Sequence, residues 1–518
     1  MLLGSRLATI AFAAAAAALA LAYGVFLMAP AAGIFHDDGV YLVTAKALAE
    51  GSGYRIVSLP WEPAQTKYPV LFPWLVSLVW RLAPGFPENL PWLRLVPLGA
   101  GVIWLLLSWR LLRRLGTSRE ACAVGLLLVA VSPWVVFVST ATLAETVFSA
   151  LLIAGVLLLV RIEAGQGRRF ESAAAGVLLG ASLLTRAAGA APVVAGLLVL
   201  VVRRRWQATV EYATGVLVVY LPWTVWVAMH PPASAIDTFY QGSIYGTYNL
   251  ITHFDWPEKM TVFGLNAVYL ASMGQYWGLA GASPAAIAVG LVGSGLIVKG
   301  LWTVRTTPIA IVVVLYLGML LLFVWPPFRY VVPIMPLLVW LALQGAGRWT
   351  MVVSALAVVM LLTGGLALVR TTVAVQEKGG TWFTAAGVDE WHDMRAQYDW
   401  ISRETSRDAV IAGVHDPTYY LFTGRKALRP FSFNPILISY NVRRSRENPF
   451  GTVSDFRKRL VAMKADYVVL TPRDGVQRLT GELLEAVPGS LIPVFGNDPS
   501  GHLIYRVDRT LLSSSTPE

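Results

Sequence analysis

The chain has 518 residues, 56% of them apolar and only 14% charged. Soluble domains carry about 25% charged residues, so this balance excludes an ordinary water-soluble protein, and the apolar content excludes a disordered one. A single cysteine, Cys122, excludes an intramolecular disulfide framework and says little about redox compartment. The formal charge of +11 resembles a nucleic-acid footprint only until its positions are read.

A helix needs about 20 apolar residues to cross a bilayer. Runs of that kind lie at 7–29, 91–109, 121–139, 143–160, 207–229, 283–304, 308–325, 330–346 and 349–369. The stretch 172–202 is also apolar, is broken around Arg186, and reads as two short helices meeting at a tip. The pattern predicts a polytopic α-helical membrane protein with about eleven crossings. The first run is too long for a signal-peptide core and has only Arg6 before it, so it reads as an uncleaved span. An A-x-A sequence near its end keeps cleavage as the alternative.

Orientation follows from the basic residues. Arg110, Arg113, Arg114 and Arg119 follow the second span, and Arg161, Arg168 and Arg169 the fourth. Arg203, Arg204 and Arg205 follow the sixth, Lys299 and Arg305 the eighth, and Arg348 the tenth. All fall on one side if the N-terminus is cytoplasmic, so the charge predicts topology and no nucleic-acid partner. The loops 30–90, 140–142, 230–282 and 326–329 then face outward, as does everything after 370. From 371 the long apolar runs stop and charges become frequent. Short β-type segments at 409–414, 467–471, 490–495 and 502–507 alternate with helical patterns such as 452–464, which predicts a small α/β domain on the outer face. The division is therefore a membrane module over 1–370 and an outer domain over 371–518, with a disordered tail from Ser513.

The first outer loop carries the densest chemistry. Ile34-Phe35-His36-Asp37-Asp38-Gly39-Val40-Tyr41 follows the first span directly. Two adjacent carboxylates at the mouth of a membrane helix are costly to desolvate. They read either as functional groups, a base or metal ligands, or as an acidic cap on the next helix. His36 beside them keeps a divalent metal open as a cofactor, although three adjacent residues seldom share one ion. Next comes Thr66-Lys67-Tyr68-Pro69 and an apolar run over 70–83, too short to span, which predicts an interfacial or re-entrant helix. Lys67 then sits at headgroup depth, where it either meets a lipid phosphate or simply snorkels.

The D-[DE]-x-x-Y pattern after the first span, followed by K-x-P and a Pro-Trp-Leu helix, resembles the GT-C glycosyltransferases. The similarity is greatest to the protein O-mannosyltransferase and aminoarabinose-transferase branch, families 39 and 83. Ser132-Pro133-Trp134 with Glu145, Leu184-Thr185-Arg186, and Arg329-Tyr330 with Pro333 and Pro336 agree with the same ordered set. The resemblance implies a GT-C fold, a polyprenyl-phosphate-linked sugar donor and an extracytoplasmic acceptor (lipid, glycan or protein). It implies Asp37 as the catalytic carboxylate, with Asp38 in a place often filled by Glu and Glu145 as a second acid facing the same cavity. Lys67, Arg186, Arg329 and Tyr330 would hold the donor phosphate. The family's double proline after the lysine is Tyr68-Pro69 here, a departure on the donor side.

Such an enzyme needs no nucleotide-binding loop, and the sequence has neither a P-loop nor G-x-G-x-x-G. The developing charge on a lipid-phosphate leaving group calls for Lys or Arg at headgroup depth, and a carboxylate on the opposite face would take the proton of an attacking hydroxyl, with inversion. A phosphate acceptor would need no base. The rivals are a transporter or lipid flippase and a membrane-anchored binding protein. Transporters place ionisable groups mid-span, whereas here the span middles are almost free of charge. The aromatic loop 230–282, with Tyr240, Tyr245, Tyr248, Trp256 and Tyr269, reads as an interfacial belt before it reads as a sugar platform. Glu211 reads as interfacial, and His415-Asp416, just after a predicted strand, reads as a ligand position or a helix cap. A cell inner membrane follows from the Ala- and Arg-rich spans.

Overall fold

A computed structural model describes residues 18–168, 170–242, 255–279, 283–379, 391–432, 434–440, 448–472, 475–496 and 501–514. Arg6, Arg169, Tyr245 and Tyr248, and residues 515–518 of the tail, lie outside these. Among the described residues, six helices are long and apolar enough to span a membrane: Leu90–Arg114, Glu145–Glu163, Trp206–Met229, Pro284–Thr303, Arg329–Ala346 and Thr350–Lys378. The pair Arg119–Val131 and Pro133–Thr140 makes a seventh only if taken as one span bent by 68°. Proline lacks the N–H and crowds the preceding turn, so the expected run over 121–139 breaks at Ser132-Pro133. The remaining expected crossings occur as shorter apolar helices, Ala18–Met28, Glu171–Leu183, Ala187–Val202 and Pro308–Leu321. The hairpin around Arg186 is present as expected, and Leu71–Leu82 forms the short helix expected after Lys67.

Two boundaries differ from the sequence reading. The last apolar helix runs on to Lys378 rather than ending near 369, because a helix can leave the apolar layer without breaking. The loop 230–282 contains α-helices of its own, Ala235–Gln241 and Trp256–Ala271. The basic helix ends meet at one end of the bundle. There Arg203 pairs with Glu163 at 2.6 Å and donates to the Thr306 carbonyl at 2.9 Å, while Arg114 contacts Gln166.

The outer domain is built on a five-stranded sheet with strands β1 (Ile411–Ala412), β2 (Ala427–Leu428), β3 (Tyr467–Leu470), β4 (Leu491–Phe495) and β5 (Leu503–Val507), in the order β2-β1-β3-β5-β4. β1 is parallel to β2 and β3, and β5 is antiparallel to β3 and β4. Four of the strands match the expected segments; β2, only two residues long, was not foreseen. The helix Val453–Ala462 buries Phe456 and Leu460 against this sheet.

The first outer loop packs into the outer domain. Val43, Ala47, Ile56, Val57 and Leu59 share a hydrophobic cluster with Leu428, Phe456, Val468 and Leu479. Ala31 and Ile34 join a second one with Trp391, Tyr398 and Tyr419. The backbone N–H of Ala427 donates to the Ser58 carbonyl at 2.8 Å, and Lys426 pairs with Glu62 at 2.5 Å. Closest contact falls on two glycines. A Cβ on Gly33, whose φ is +79°, would strike the Thr418 hydroxyl, and one on Gly39 would lie 2.8 Å from the Pro417 side chain.

Helices Pro284–Thr303 and Met335–Ala346 also approach through glycine: a Cβ on Gly300 would run into the Leu341 carbonyl, and one on Gly345 into the Leu296 carbonyl. Small residues allow such backbone approach in membranes. Gly300→Val should therefore destabilise by about 1–3 kcal/mol, the cost of overpacking, and lower the thermal midpoint of the detergent-purified protein. Gly295→Ala, with no atom within 4 Å of the new Cβ, should leave that midpoint unchanged or slightly raised.

Candidate active site

Asp37 opens the helix Asp37–Ala49, directly after His36, whose φ is +71°. The turn is held by Gly33, whose N–H donates to Asp38 Oδ2 at 2.7 Å. Asp37 Oδ1 accepts from the Tyr68 hydroxyl at 2.5 Å, and Oδ2 pairs with the Arg329 guanidinium. Arg329 stands at the start of a 3-10 turn, Arg329–Ile334, where Pro333 cannot donate to a regular α-helix. Its Nη1 lies 3.3 Å from Glu145 Oε1, and Arg186 Nη1 lies 2.8 Å from the same oxygen. Glu145 is the first residue of Glu145–Glu163, and Arg186 sits at the hairpin tip. Four segments distant in sequence thus meet in the chain Asp37–Arg329–Glu145–Arg186. Tyr330 closes it: its hydroxyl lies 3.1 Å from Arg329 Nη2, and its ring lies under Arg186 at 5.2 Å.

Lys67 and Tyr68 come from a loop with a fixed backbone. Their N–H groups donate to Gln65 Oε1 at 2.8 and 3.2 Å, and the Tyr68 carbonyl accepts from the Tyr54 hydroxyl at 2.7 Å. The Trp226 indole N–H donates to the Gln65 carbonyl at 3.0 Å. The Tyr68 ring meets Tyr41 edge-on, with centroids 5.2 Å apart.

Two openings adjoin at Asp37, Lys67, Tyr68 and Tyr330. One is a slot of about 60 Å³ that adds Arg186 and the backbone turn 185–188. The other is a cavity of about 420 Å³, walled by Phe35, Trp134, Phe328 and Tyr240 and roofed by Asp416 and Arg429 of the outer domain. Trp134 stacks on Phe328 at 5.5 Å, nearly parallel.

Electrostatics separates the acids. Burial pushes the Asp37 carboxyl up, but Arg329, the Tyr68 hydroxyl and His36 outweigh it and hold it below the usual carboxylate range. Burial raises Asp38 to about 6 against hydrogen bonds from the Gly33 and Gly39 backbone. Burial lowers the Lys67 ammonium to about 8, although Asp37 favours its charge.

Of the residues expected in the site, Asp37, Lys67, Arg186, Arg329 and Tyr330 come together around the two openings. Asp38 does not: only 4% exposed, it points into the turn after the first helix, near Arg94, which donates to the Leu27 and Ala31 carbonyls at 2.9 and 2.5 Å. Glu145 does not border the cavity either; it lies fully buried behind its two arginines. Tyr68 is a site residue that the sequence presents only as a departure from a double proline. Asp416 follows a strand that the sequence predicts, whereas Arg429 carries no motif. Tyr240 is buried in the cavity wall rather than in a belt, whereas Trp256 is 72% exposed. Glu211 is half-buried and accepts from Gln207 at 3.0 Å.

The side chains around Asp37 do not fit a divalent cation. Both its oxygens are engaged by Tyr68 and Arg329, Asp416 is engaged by Arg429 at 3.0 Å, and further cations surround them. Among the described residues, no three His, Cys, Asp or Glu side chains converge as a ligand set.

Residues 67–226 match a family model described as dolichyl-phosphate-mannose-protein mannosyltransferase, a stretch that includes Lys67, Glu145 and Arg186. No curated protein sequence gives a match. Among solved structures, the fold is similar to ArnT from Cupriavidus metallidurans bound to undecaprenyl phosphate, at 14% identity and TM-score 0.54 over 98% of this chain and 99% of that one. It is similar to the same protein in the apo state, at 15% identity and TM-score 0.55 over 99% and 100% of the two chains. It also resembles the oligosaccharyltransferase of Archaeoglobus fulgidus in complex with Zn and sulfate, at 14% identity and TM-score 0.50 over 94% and 72%. The chain has the GT-C fold expected from its motifs, a multi-pass membrane architecture, and its family match falls on a glycosyltransferase rather than a transporter.

Proposed function

We propose that this protein transfers a sugar from a polyprenyl-phosphate carrier to an extracytoplasmic acceptor, with inversion at the anomeric carbon. The carrying observation is the juxtaposition at Asp37: an ionised carboxylate faces a cavity on one side and a cationic slot lined by Lys67, Arg186 and Tyr330 on the other. The undecaprenyl phosphate bound in the structurally similar ArnT supports a lipid-phosphate donor. In this reading the slot holds the donor phosphate, and the sugar projects into the aromatic-walled cavity. The protein lies in the cell inner membrane with its N-terminus cytoplasmic and its site outside. Residues 1–370 form the catalytic module, and 371–518 form an outer domain that roofs it.

As the glycosidic C–O bond to phosphate breaks, negative charge gathers on the leaving phosphate. Lys67, Arg186 and the Tyr330 hydroxyl stabilise it from fixed positions, without reorganisation. The acceptor oxygen attacks the anomeric carbon from the cavity side, and Asp37 receives its proton. Because Arg329 and Tyr68 lower its basicity, that transfer comes late, once the new C–O bond has made the acceptor proton acidic. Glu145 acts as a positioning residue that keeps Arg186 and Arg329 at their distances.

The test is lipid mass spectrometry on the detergent-purified protein. Asp37→Asn should slow transfer by about 10²–10⁴-fold, the loss expected for a general base, and should co-purify with more glycosylated polyprenyl phosphate than wild type. Bulk phospholipid alone in both preparations would overturn the donor assignment.

The lowered Lys67 pKa predicts a basic limb. A base depressed to about 8 loses its charge as pH rises through that value, so affinity for undecaprenyl phosphate should fall above about pH 8. Lys67→Arg, charged throughout, should lose the limb. Taking the ratio of the two profiles cancels the titration of the lipid itself.

Glu145→Gln leaves the Arg186 guanidinium in the protein interior without its carboxylate and Arg329 with Asp37 alone. It should destabilise by about 3–5 kcal/mol, read as a lowered thermal midpoint together with the loss of turnover. Lost turnover with an unchanged midpoint would instead make Glu145 a catalytic acid.

A further inference from the structure

The first outer loop contributes two polar side chains to the wall of the large cavity, each with an unmet hydrogen bond. Ser58 and Gln65 border the cavity and are 1% and 0% exposed. Among the described residues, Ser58 Oγ and Gln65 Nε2 are buried and have no hydrogen-bond partner. An orphaned buried group costs stability, and in a native fold it calls for a reason.

Local structure does not supply that reason. The loop folds back on itself through a bridge between Arg55 and Ala64, and the Gln65 N–H donates to the Tyr54 carbonyl at 2.9 Å. The Ser58 carbonyl accepts from the Ala427 N–H, and the Gln65 carbonyl from the Trp226 indole. These backbone bonds hold the segment without the Ser58 hydroxyl. Gln65 is fixed at its side chain as well. Its Oε1 accepts from the N–H groups of Lys67 and Tyr68 at 2.8 and 3.2 Å, which sets the orientation of the amide and turns Nε2 away from that loop. One amide thus holds the Lys67 loop and keeps a donor unpaired.

The chemistry of the two atoms selects the group that satisfies them. Gln65 Nε2 only donates, Ser58 Oγ donates and accepts, and neither is charged. The cations that border the cavity are committed elsewhere, Arg429 to Asp416 and, in the proposed reaction, Lys67 to the donor phosphate. A buried anion at Ser58 and Gln65 would lack a counter-charge. A hydroxyl needs none: it accepts from Nε2 and hydrogen-bonds Oγ. Phe239 and Tyr240 border the same cavity, with Tyr240 edge-on to Trp61 at 5.9 Å. Apolar surface with a few fixed polar groups is the usual make-up of a small-molecule site, and a sugar ring offers C–H faces to the one and hydroxyls to the other.

We propose that Ser58 and Gln65 form a specificity pocket that hydrogen-bonds a hydroxyl of a neutral sugar ring. This rests on the reading of the cavity as the place where a sugar is transferred. The ring is either the unit carried by the polyprenyl phosphate or part of a glycan acceptor, and the same two atoms serve both.

The experiment uses the full-length protein in a detergent without a sugar headgroup, saturated with undecaprenyl phosphate. The probes are the methyl glycosides of glucose, galactose, mannose and arabinose, with binding read by saturation-transfer NMR. Wild type should bind at least one of them with millimolar affinity. Ser58→Ala should weaken that glycoside about three- to tenfold, the scale of one neutral hydrogen bond, and leave undecaprenyl phosphate affinity unchanged. Its thermal midpoint should stay level or rise, because the hydroxyl removed is orphaned. One monodeoxy analogue of the glycoside should bind wild type and Ser58→Ala alike. Gln65→Met, which also releases the Lys67 and Tyr68 N–H groups, should weaken both glycoside and undecaprenyl phosphate.

A wild type that binds none of the four glycosides overturns the pocket, as does a glycoside held equally by wild type and Ser58→Ala. A synthetic polyprenyl phosphate bearing the same sugar decides the source: displacement of the glycoside assigns the pocket to the donor, and simultaneous binding assigns it to the acceptor. Failure of wild type to bind undecaprenyl phosphate would instead overturn the donor reading, and the glycoside titration of wild type against Ser58→Ala would still decide the pocket.

Discussion

Alternation of charge in a buried chain, Asp37–Arg329–Glu145–Arg186, holds the site together. Each of these groups alone would be prohibitively costly at this depth, and each is tolerable only because the next one is present. The four come from the first outer loop, a late membrane helix, the start of a middle helix and a hairpin tip, so their pairing ties together elements that apolar packing alone would leave free to slide. Membrane helices gain little from hydrophobic burial against one another. A polar cluster with fixed geometry can therefore specify the arrangement of the bundle as well as the chemistry.

The same cluster explains why two conspicuous acids do different work from Asp37. Asp38 faces the turn that enters the helix, and Glu145 sits behind the arginines, so neither reaches the cavity. Asp37 alone has a carboxylate at the boundary between slot and cavity. Its low basicity is a by-product of the pairing that places it there. A carboxylate tuned in this way suits a reaction in which bond formation runs ahead of proton transfer.

Much of this was legible in the residues. The apolar runs over 91–109, 143–160 and 207–229 became helices because a span imposes a long, nearly charge-free pattern that few other structures share. Asp37 and Lys67 were legible because charges beside apolar runs are expensive and stand out, whereas Arg186 and Arg329 were legible as site residues only through the resemblance to the GT-C motifs. The break at Ser132-Pro133 was marked by its proline, yet the 68° bend it causes depends on neighbouring helices. The strand Ala427–Leu428 was hidden because two residues carry no periodicity. Tyr68 and Arg429 were hidden for another reason. A tyrosine beside a proline and a lone arginine in a charged domain are ordinary until folding brings them to Asp37 and Lys67. The end of the last apolar helix was misplaced because charge at Arg370 marks the edge of the apolar layer, not the end of the hydrogen-bonded helix.

The seating of the helix Asp416–Thr423 on Gly33 and Gly39 also sets an order of assembly during synthesis. The loop that carries Asp37 leaves the ribosome early and enters the membrane with the first helices. The residues that cover it, Pro417 and Thr418, are translated only after the whole bundle has been inserted. Ala31, Ile34 and Val43 therefore wait in contact with water or lipid until the outer domain folds onto them. The cavity beside Asp37 therefore gains its lining from Asp416 and Arg429 only after the loop that carries Asp37 has been made.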